Sequence, residues 1–172
     1  ILAEAMEELG METGISSKSP DDSYISDCTI ETDQLALIPD SYIDMTAEKI
    51  RLYKEMDSLT SEKEIEQMKA RLSDRFGPLP EELSRLFDII RIRQLGKKLG
   101  FEKIIIKNGV MIAFFISNPL SQYYRSDRFS HILENITLNP KMFELKQNDS
   151  KLRIFVRNVD SISKAYAVLS KL

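Results

Sequence analysis

A phosphate-binding loop needs glycines spaced so that backbone amides wrap an anion, followed by Lys-Ser or Lys-Thr. Gly96-Lys97-Lys98 comes nearest in this chain, but it lacks the hydroxyl and has Arg91 where the first glycine would stand. Nucleophilic triads need an imidazole base. The sole histidine, His131, falls among Phe129, Ile132 and Leu133 in a helical stretch, where a structural role is expected. The carboxylate pairs Glu81-Glu82 and Asp21-Asp22 fall in a helix first turn and in a loop, where dipole complementarity and solvation account for them. Tyr123-Tyr124-Arg125 could stack bases, yet adjacent helical residues point different ways, so packing with a snorkelling arginine is expected. A lone cysteine, Cys28, builds neither an internal disulfide nor a thiolate metal site. No catalytic, cofactor or metal site is therefore expected in these residues.

The segment Leu72-Ser73-Asp74-Arg75-Phe76-Gly77-Pro78-Leu79-Pro80 says more. Arg75 near a helix C-terminus is favoured by the dipole, and Asp74 can pair with Arg71 three residues earlier. Asp74 itself stands at the electrostatically wrong end, a cost of a fraction of about 1 kcal/mol that a partner's cation would remove.

These groups must be positioned by a fold, and composition bounds it. With 42% hydrophobic and 30% charged residues among 172, the chain reads as one soluble globular domain with one core. A chain of this length buries about 70% of its unfolded surface and needs no disulfide or metal. No apolar run approaches the roughly 20 residues that span a bilayer, and Ile1-Leu2-Ala3-Glu4 is no signal peptide, so a cytoplasmic fragment of a longer protein is expected. Residues 1 to 50 hold twelve Asp/Glu against two Lys/Arg, net −10; residues 51 to 172 hold fifteen against twenty-two, net +7. The basic residues are scattered singly, which describes a solvated mixed surface better than a nucleic-acid stripe.

Leu2, Met6 and Leu9 mark the end of an upstream helix, residues 10 to 22 are rich in loop formers, and the domain is expected to span 23 to 172. Cys28, Ile30 and Thr32 alternate with Thr29, Glu31 and Asp33, a half-buried strand that shifts phase at Leu35. Thr46 can cap a helix burying Ile50, Tyr53 and Met56 or Leu59. Ser61 and Glu64 form a capping box for a second, with Ile65, Met68, Leu72 and Phe76 inward and Gly77-Pro78 as its stop. A third runs from Pro80 to Leu99 with an apolar stripe broad enough for the central helix, ended by Gly100. Asn108-Gly109 predicts a tight hairpin between 103–107 and 110–116. A helix over 119–134, a hairpin of 143–146 with 152–156, and a last helix capped by Asp160 and burying Ile162, Tyr166 and Leu169 complete the pattern. It predicts an α+β domain: an N-terminal strand and two hairpins in a mostly antiparallel sheet, covered on one side by about five helices.

Taken with Ile38-Pro39-Asp40-Ser41-Tyr42-Ile43, Arg51-Leu52-Tyr53-Lys54 and Leu99-Gly100-Phe101-Glu102-Lys103-Ile104, the Leu72 to Pro80 segment resembles the C-terminal domain of the bacterial transcription-repair coupling factor (Mfd) family. Residues 23 to 107 correspond well and the rest loosely, and the order and spacing of four motifs carry the likeness. The resemblance implies a parent that uses ATP and magnesium in a motor to translocate on duplex DNA, displaces stalled RNA polymerase and recruits the excision-repair protein UvrA. None of the motor's motifs lies in these residues. It further implies a non-catalytic regulatory domain that packs on the parent's N-terminal UvrB-like module and masks its UvrA surface until the motor engages polymerase. Family members commonly carry a glutamate three residues before the Asp-Arg pair, and these three contact that module. Asp74 and Arg75 match, while Arg71 stands in the glutamate's place and inverts its charge. The expected interface is therefore Arg71, Asp74 and Arg75. The alternative is an accessory nucleic-acid-binding module using Lys97, Lys98, Arg125 and Arg128 on phosphates.

Overall fold

The alternation at Cys28 to Asp33 gives β1 (Thr29–Thr32), and the chain turns away before the pattern changes phase at Leu35. The structure, a computed structural model, describes residues 24–149 and 151–172; the helix expected at 1–9, the linker at 10–22 and the domain start at Ser23 lie outside the described residues. Three helices follow, α1 (Thr46–Asp57), α2 (Glu62–Phe76) and α3 (Glu81–Leu99). The remainder is β2 (Phe101–Lys107), β3 (Val110–Phe115), a 3-10 turn (Gln122–Arg125), α4 (Asp127–Leu138), β4 (Glu144–Asn148), β5 (Lys151–Arg157) and α5 (Ile162–Leu169). None of the described helices is long and apolar enough to cross a membrane.

The strands form one sheet in the order β1-β2-β3-β5-β4, antiparallel except for the β1/β2 pair. The fold is thus α+β with a mostly antiparallel sheet, as the sequence predicts. The parallel pair has a topological cause: β1 and β2 are joined through three helices, and only such a crossover lets neighbours run the same way. Asn108 (φ 54°) and Gly109 (φ 73°) supply the two positive φ angles of the β2/β3 hairpin.

Two cores form rather than the single one expected. One face of the sheet presents Phe101, Ile104, Met111, Phe115, Ile154 and Val156 to Ile92 of α3, Ile132 of α4 and Ile162 of α5. A separate helical core gathers Ile38 and Ile43 with Leu52 and Met56 of α1, Ile65, Met68 and Leu72 of α2, and Leu83, Phe87 and Ile90 of α3. Helix α3 serves both: its first half belongs to the helical core, while Ile92, backed by Ile89, Leu95 and Leu99, belongs to the sheet core. The broad stripe read from the sequence is the signature of that double duty.

Local expectations are corrected in four places. Helix α1 turns Leu52 and Met56 inward and leaves Ile50 50% exposed, and its N-cap is Met45 without a side-chain bond, Thr46 being the first helical residue. In the capping box of α2 Ser61 accepts from the Glu64 amide at 3.3 Å, but the Glu64 carboxylate reaches the amide of Thr60, 2.7 Å away. The helix expected over 119–134 is split, because the Ser126 hydroxyl accepts from the Phe129 amide and starts α4 anew. Ser161, accepting from Lys164, caps α5 in place of Asp160, and Val168 and Ala165 are buried where Tyr166 is only partly so.

Two glycines let α3 approach its neighbours. A Cβ at Gly96 would stand 2.7 Å from the Cys28 sulfur, and one at Gly100 (φ +91°) would stand 2.2 Å from the Tyr123 ring. Gly109 has positive φ but open space around it. Gly109→Ala should therefore cost only the left-handed backbone penalty, about 1 to 2 kcal/mol. Gly100→Ala should add the overpacking of a buried ring, a further 1 to 3 kcal/mol or so. Urea unfolding measures both, and equal midpoints for the two variants would refute the close approach.

Candidate protein-docking site

Arg71, Asp74 and Arg75 occupy positions i, i+3 and i+4 near the end of α2, so they share one ridge. All three are exposed, with the Arg71 and Arg75 side chains 64% and 61% accessible. The structure brings together what the sequence placed there. Their pairing differs from the expectation: Arg71 turns away from Asp74 and donates to Glu55 of α1. Arg75 donates to Glu48 at 2.8 Å, and Arg51 reaches the same carboxylate at 2.6 Å. Those hydrogen bonds, Arg51's first and Arg75's with it, hold the Glu48 carboxyl below the usual carboxylate range. Asp74 has no hydrogen bond or ion pair among the described residues. It lines an open groove with Glu55, Met68 and Arg71.

Sequence reasoning missed Glu48, Arg51 and Glu55, which complete the ridge. The signal was present: Glu48 and Glu55, seven residues apart, lie on one side of α1, matching two arginines four apart on α2. Neither set is recognisable until the two helices are known to pack.

Tyr42 fixes the end of the ridge. Its hydroxyl lies 3.0 Å from the carbonyl of Leu72 and 2.7 Å from that of Gly77, so one proton is shared by two carbonyls at the helix terminus. Its ring packs on Phe76, centroids 5.8 Å apart, and burial pushes its phenol pKa up. Tyr53 accepts from the Ile38 amide at 2.8 Å and ties α1 to the same segment. Three of the four quoted motifs are thus parts of one assembly.

Tyr123, Tyr124, Arg128 and Cys28 are placed in packing roles. Tyr123 is fully buried and donates to the Leu99 carbonyl at 2.5 Å, and Tyr124 donates to that of Ile116. Arg128 donates to the Lys98 carbonyl, so its guanidinium serves the end of α3. His131 is exposed on α4. Cys28 is buried, which pushes its thiol up to about 12. Among the described residues no group of three His, Cys, Asp or Glu could hold a metal.

A family model described as the TRCF domain matches residues 32–126. The transcription-repair-coupling factor of Rickettsia prowazekii (strain Madrid E) is 35% identical over 124 residues, 72% of this chain and 10% of that protein. That of Escherichia coli (strain K12) is 39% identical over 75 residues, 44% of this chain and 6% of that protein. The chain spans about a tenth of the length of the first curated relatives it matches. A solved structure described as the C-terminal domain of transcription-repair coupling factor aligns with TM-score 0.69, covering 87% of this chain and 92% of that one. At 18% identity this is a likeness of fold.

Two outcomes are expected of the ridge itself. Tyr42→Phe strips a donor from two carbonyls in a partly buried site and should lower stability by about 1 to 2 kcal/mol; an unchanged urea midpoint would refute the lock. Arg71→Glu should cost about 0.5 kcal/mol at low salt, recovered by adding Glu55→Arg. If the reversed pair recovers nothing, the Arg71–Glu55 bridge does not form in solution.

Proposed function

The chain belongs to the TRCF-domain family, and from that premise we propose that it is a regulatory protein-docking domain of a transcription-repair coupling factor, acting through the Arg71, Asp74 and Arg75 ridge. The occupant is the parent's own N-terminal UvrB-like module, and docking masks the surface that module offers to UvrA. The parent is a cytoplasmic motor that uses ATP and magnesium on duplex DNA and acts on stalled RNA polymerase; this domain restrains it and performs no chemistry.

The observation that carries the reading is the uncompensated charge of Asp74. It sits in the last turn of α2, where the dipole opposes it, while both neighbouring arginines are held by Glu55 and Glu48. A cation from a docked surface would relieve it. The inverted charge at Arg71 is balanced within the domain by Glu55, so the partner need not bring an acid to meet it. Truncating one member of a desolvated pair costs roughly 2 to 5 kcal/mol at an interface, whereas the same side chains, exposed on the free domain, contribute little to its fold.

In the full-length parent, Asp74→Ala with Arg75→Ala should raise UvrA affinity about 5- to 150-fold, the span of ordinary allosteric couplings. Calorimetric titration of UvrA measures it, and thermal unfolding confirms that the variant is folded. Lys97→Ala with Lys98→Ala, at the end of a different helix, should leave the affinity where it was. Equal UvrA affinity for wild type and a folded Asp74/Arg75 variant would overturn autoinhibition through this ridge.

A further inference from the structure

The sheet has a second face. Cross-strand register sets Ile105 beside Ile112 and Phe155, and Lys103 beside Phe114 and Arg153, across the three central strands. Ile105, Ile112, Phe114 and Phe155 pack against neither core, so among the described residues they form an apolar block on the side away from the helices. Bases surround it. Glu31 at one edge is shared by Lys103 (2.9 Å) and Lys107 (3.6 Å), and Glu144 at the other by Lys146 (3.3 Å) and Arg157 (3.6 Å). Two acids thus answer four bases before Arg153, in the middle, is counted.

Arg153 and Phe155 make the centre of the block. The guanidinium carbon lies 5.1 Å from the centroid of the Phe155 ring, with Lys146 Nζ at 4.4 Å. Arg153 Nε is buried and has no hydrogen-bond partner among the described residues. A donor withdrawn from water without an acceptor is costly.

We propose that this half-buried sheet face, against which no described helix packs, binds a short single strand of nucleic acid, bases stacking on Phe114, Phe155 and the Arg153 guanidinium and phosphates pairing with Lys103, Lys107, Lys146 and Arg157. Charge complementarity selects a polyanion. The Phe114 and Phe155 rings and the planar Arg153 cation select one with π faces, because unstacked bases lie on aromatic and guanidinium planes. An acidic peptide would answer the charge and leave the rings without a counterpart. A duplex would answer the charge but keeps its bases stacked on one another, away from Phe114 and Phe155.

The test is fluorescence anisotropy of the 172-residue chain with labelled oligo-dT and oligo-U of about eight nucleotides, within the usual site sizes of such platforms. Binding should weaken with salt at a log–log slope of about −3, four phosphates each contributing about −0.7. Phe155→Leu, which keeps apolar bulk and removes the ring, and Arg153→Gln should each weaken it at least about fivefold. Should one of the two unfold, the other carries the comparison. Lys97→Ala with Lys98→Ala should change nothing, and the tighter of the two oligomers is the preferred polymer. Absence of binding at low salt, equal binding of a polyglutamate peptide, or full affinity in folded Phe155→Leu and Arg153→Gln would each overturn the proposal.

Discussion

Everything in this fold depends on α3 being buried on two sides at once. Leu83, Phe87 and Ile90 belong to one core and Ile92 to the other, and burying side chains of this size stabilises by about 1.5 to 3 kcal/mol each. A helix so used must place its polar residues at the seam between the cores. Arg91 reaches Glu62 and Asp88 at 2.9 and 3.0 Å, Gln94 donates to the Leu59 carbonyl, and Arg93 bridges Asp27 before β1 and Asp57 at the end of α1. Partly exposed pairs of this kind give roughly 0 to 1 kcal/mol each. The cores therefore hold the halves together, and the arginines set the angle at which they meet. Gly96 and Gly100 set the distance, by leaving room for Cys28 and Tyr123.

The ridge proposed to dock inherits its precision from the smaller core. Leu72, buried between α1 and α3, fixes the roll of α2, and Tyr42 fixes the point where α2 stops. Given both, positions 71, 74 and 75 can face only outward, on the side where Glu48 and Glu55 wait on α1. Arg51, Arg71 and Arg75 share Glu48 and Glu55, which leaves Asp74 the one member of the patch without an ion pair among the described residues. None of these ions is buried in the described domain.

The sequence was legible where one residue type decides one backbone state. Asn108-Gly109 and Gly100 are such places, and so are the stop at Gly77-Pro78 and the serine at the head of α2. It misled where several residues competed for one role. Ser126, Asp160 with Ser161, and Thr46 beside Met45 are all caps or near-caps, and which one wins depends on where the packed helix must begin. Ile50 and Leu52 are equally apolar, and only the position of α2 decides which is buried. The family was readable from four short motifs because in three of them Tyr42 bonds to the Leu72 and Gly77 carbonyls and Tyr53 to the Ile38 amide, so their spacing records a three-dimensional assembly. Glu48 and Glu55 went unread for the opposite reason: acids on a helix are ordinary until the facing arginines are known.

The same limit hid the second face of the sheet. Ile104-Ile105-Ile106 and Phe114-Phe115 are unbroken apolar runs, the pattern of a strand covered on both sides. Yet the described helices pack on one side only, leaving Ile105, Ile112, Phe114 and Phe155 outside both cores. An antiparallel sheet with a wet face ordinarily alternates apolar with polar residues. Here the outward positions of the central strands are instead apolar or basic. Folding explains Ile104, Ile106 and Phe115; it does not explain their neighbours. Lysines and arginines at the rim keep such a block soluble by laying their stems over it and their charges outward. A surface of that construction is tolerable when empty and complementary to a flat anion when occupied. The departure from alternation is thus better accounted for by contact than by the core.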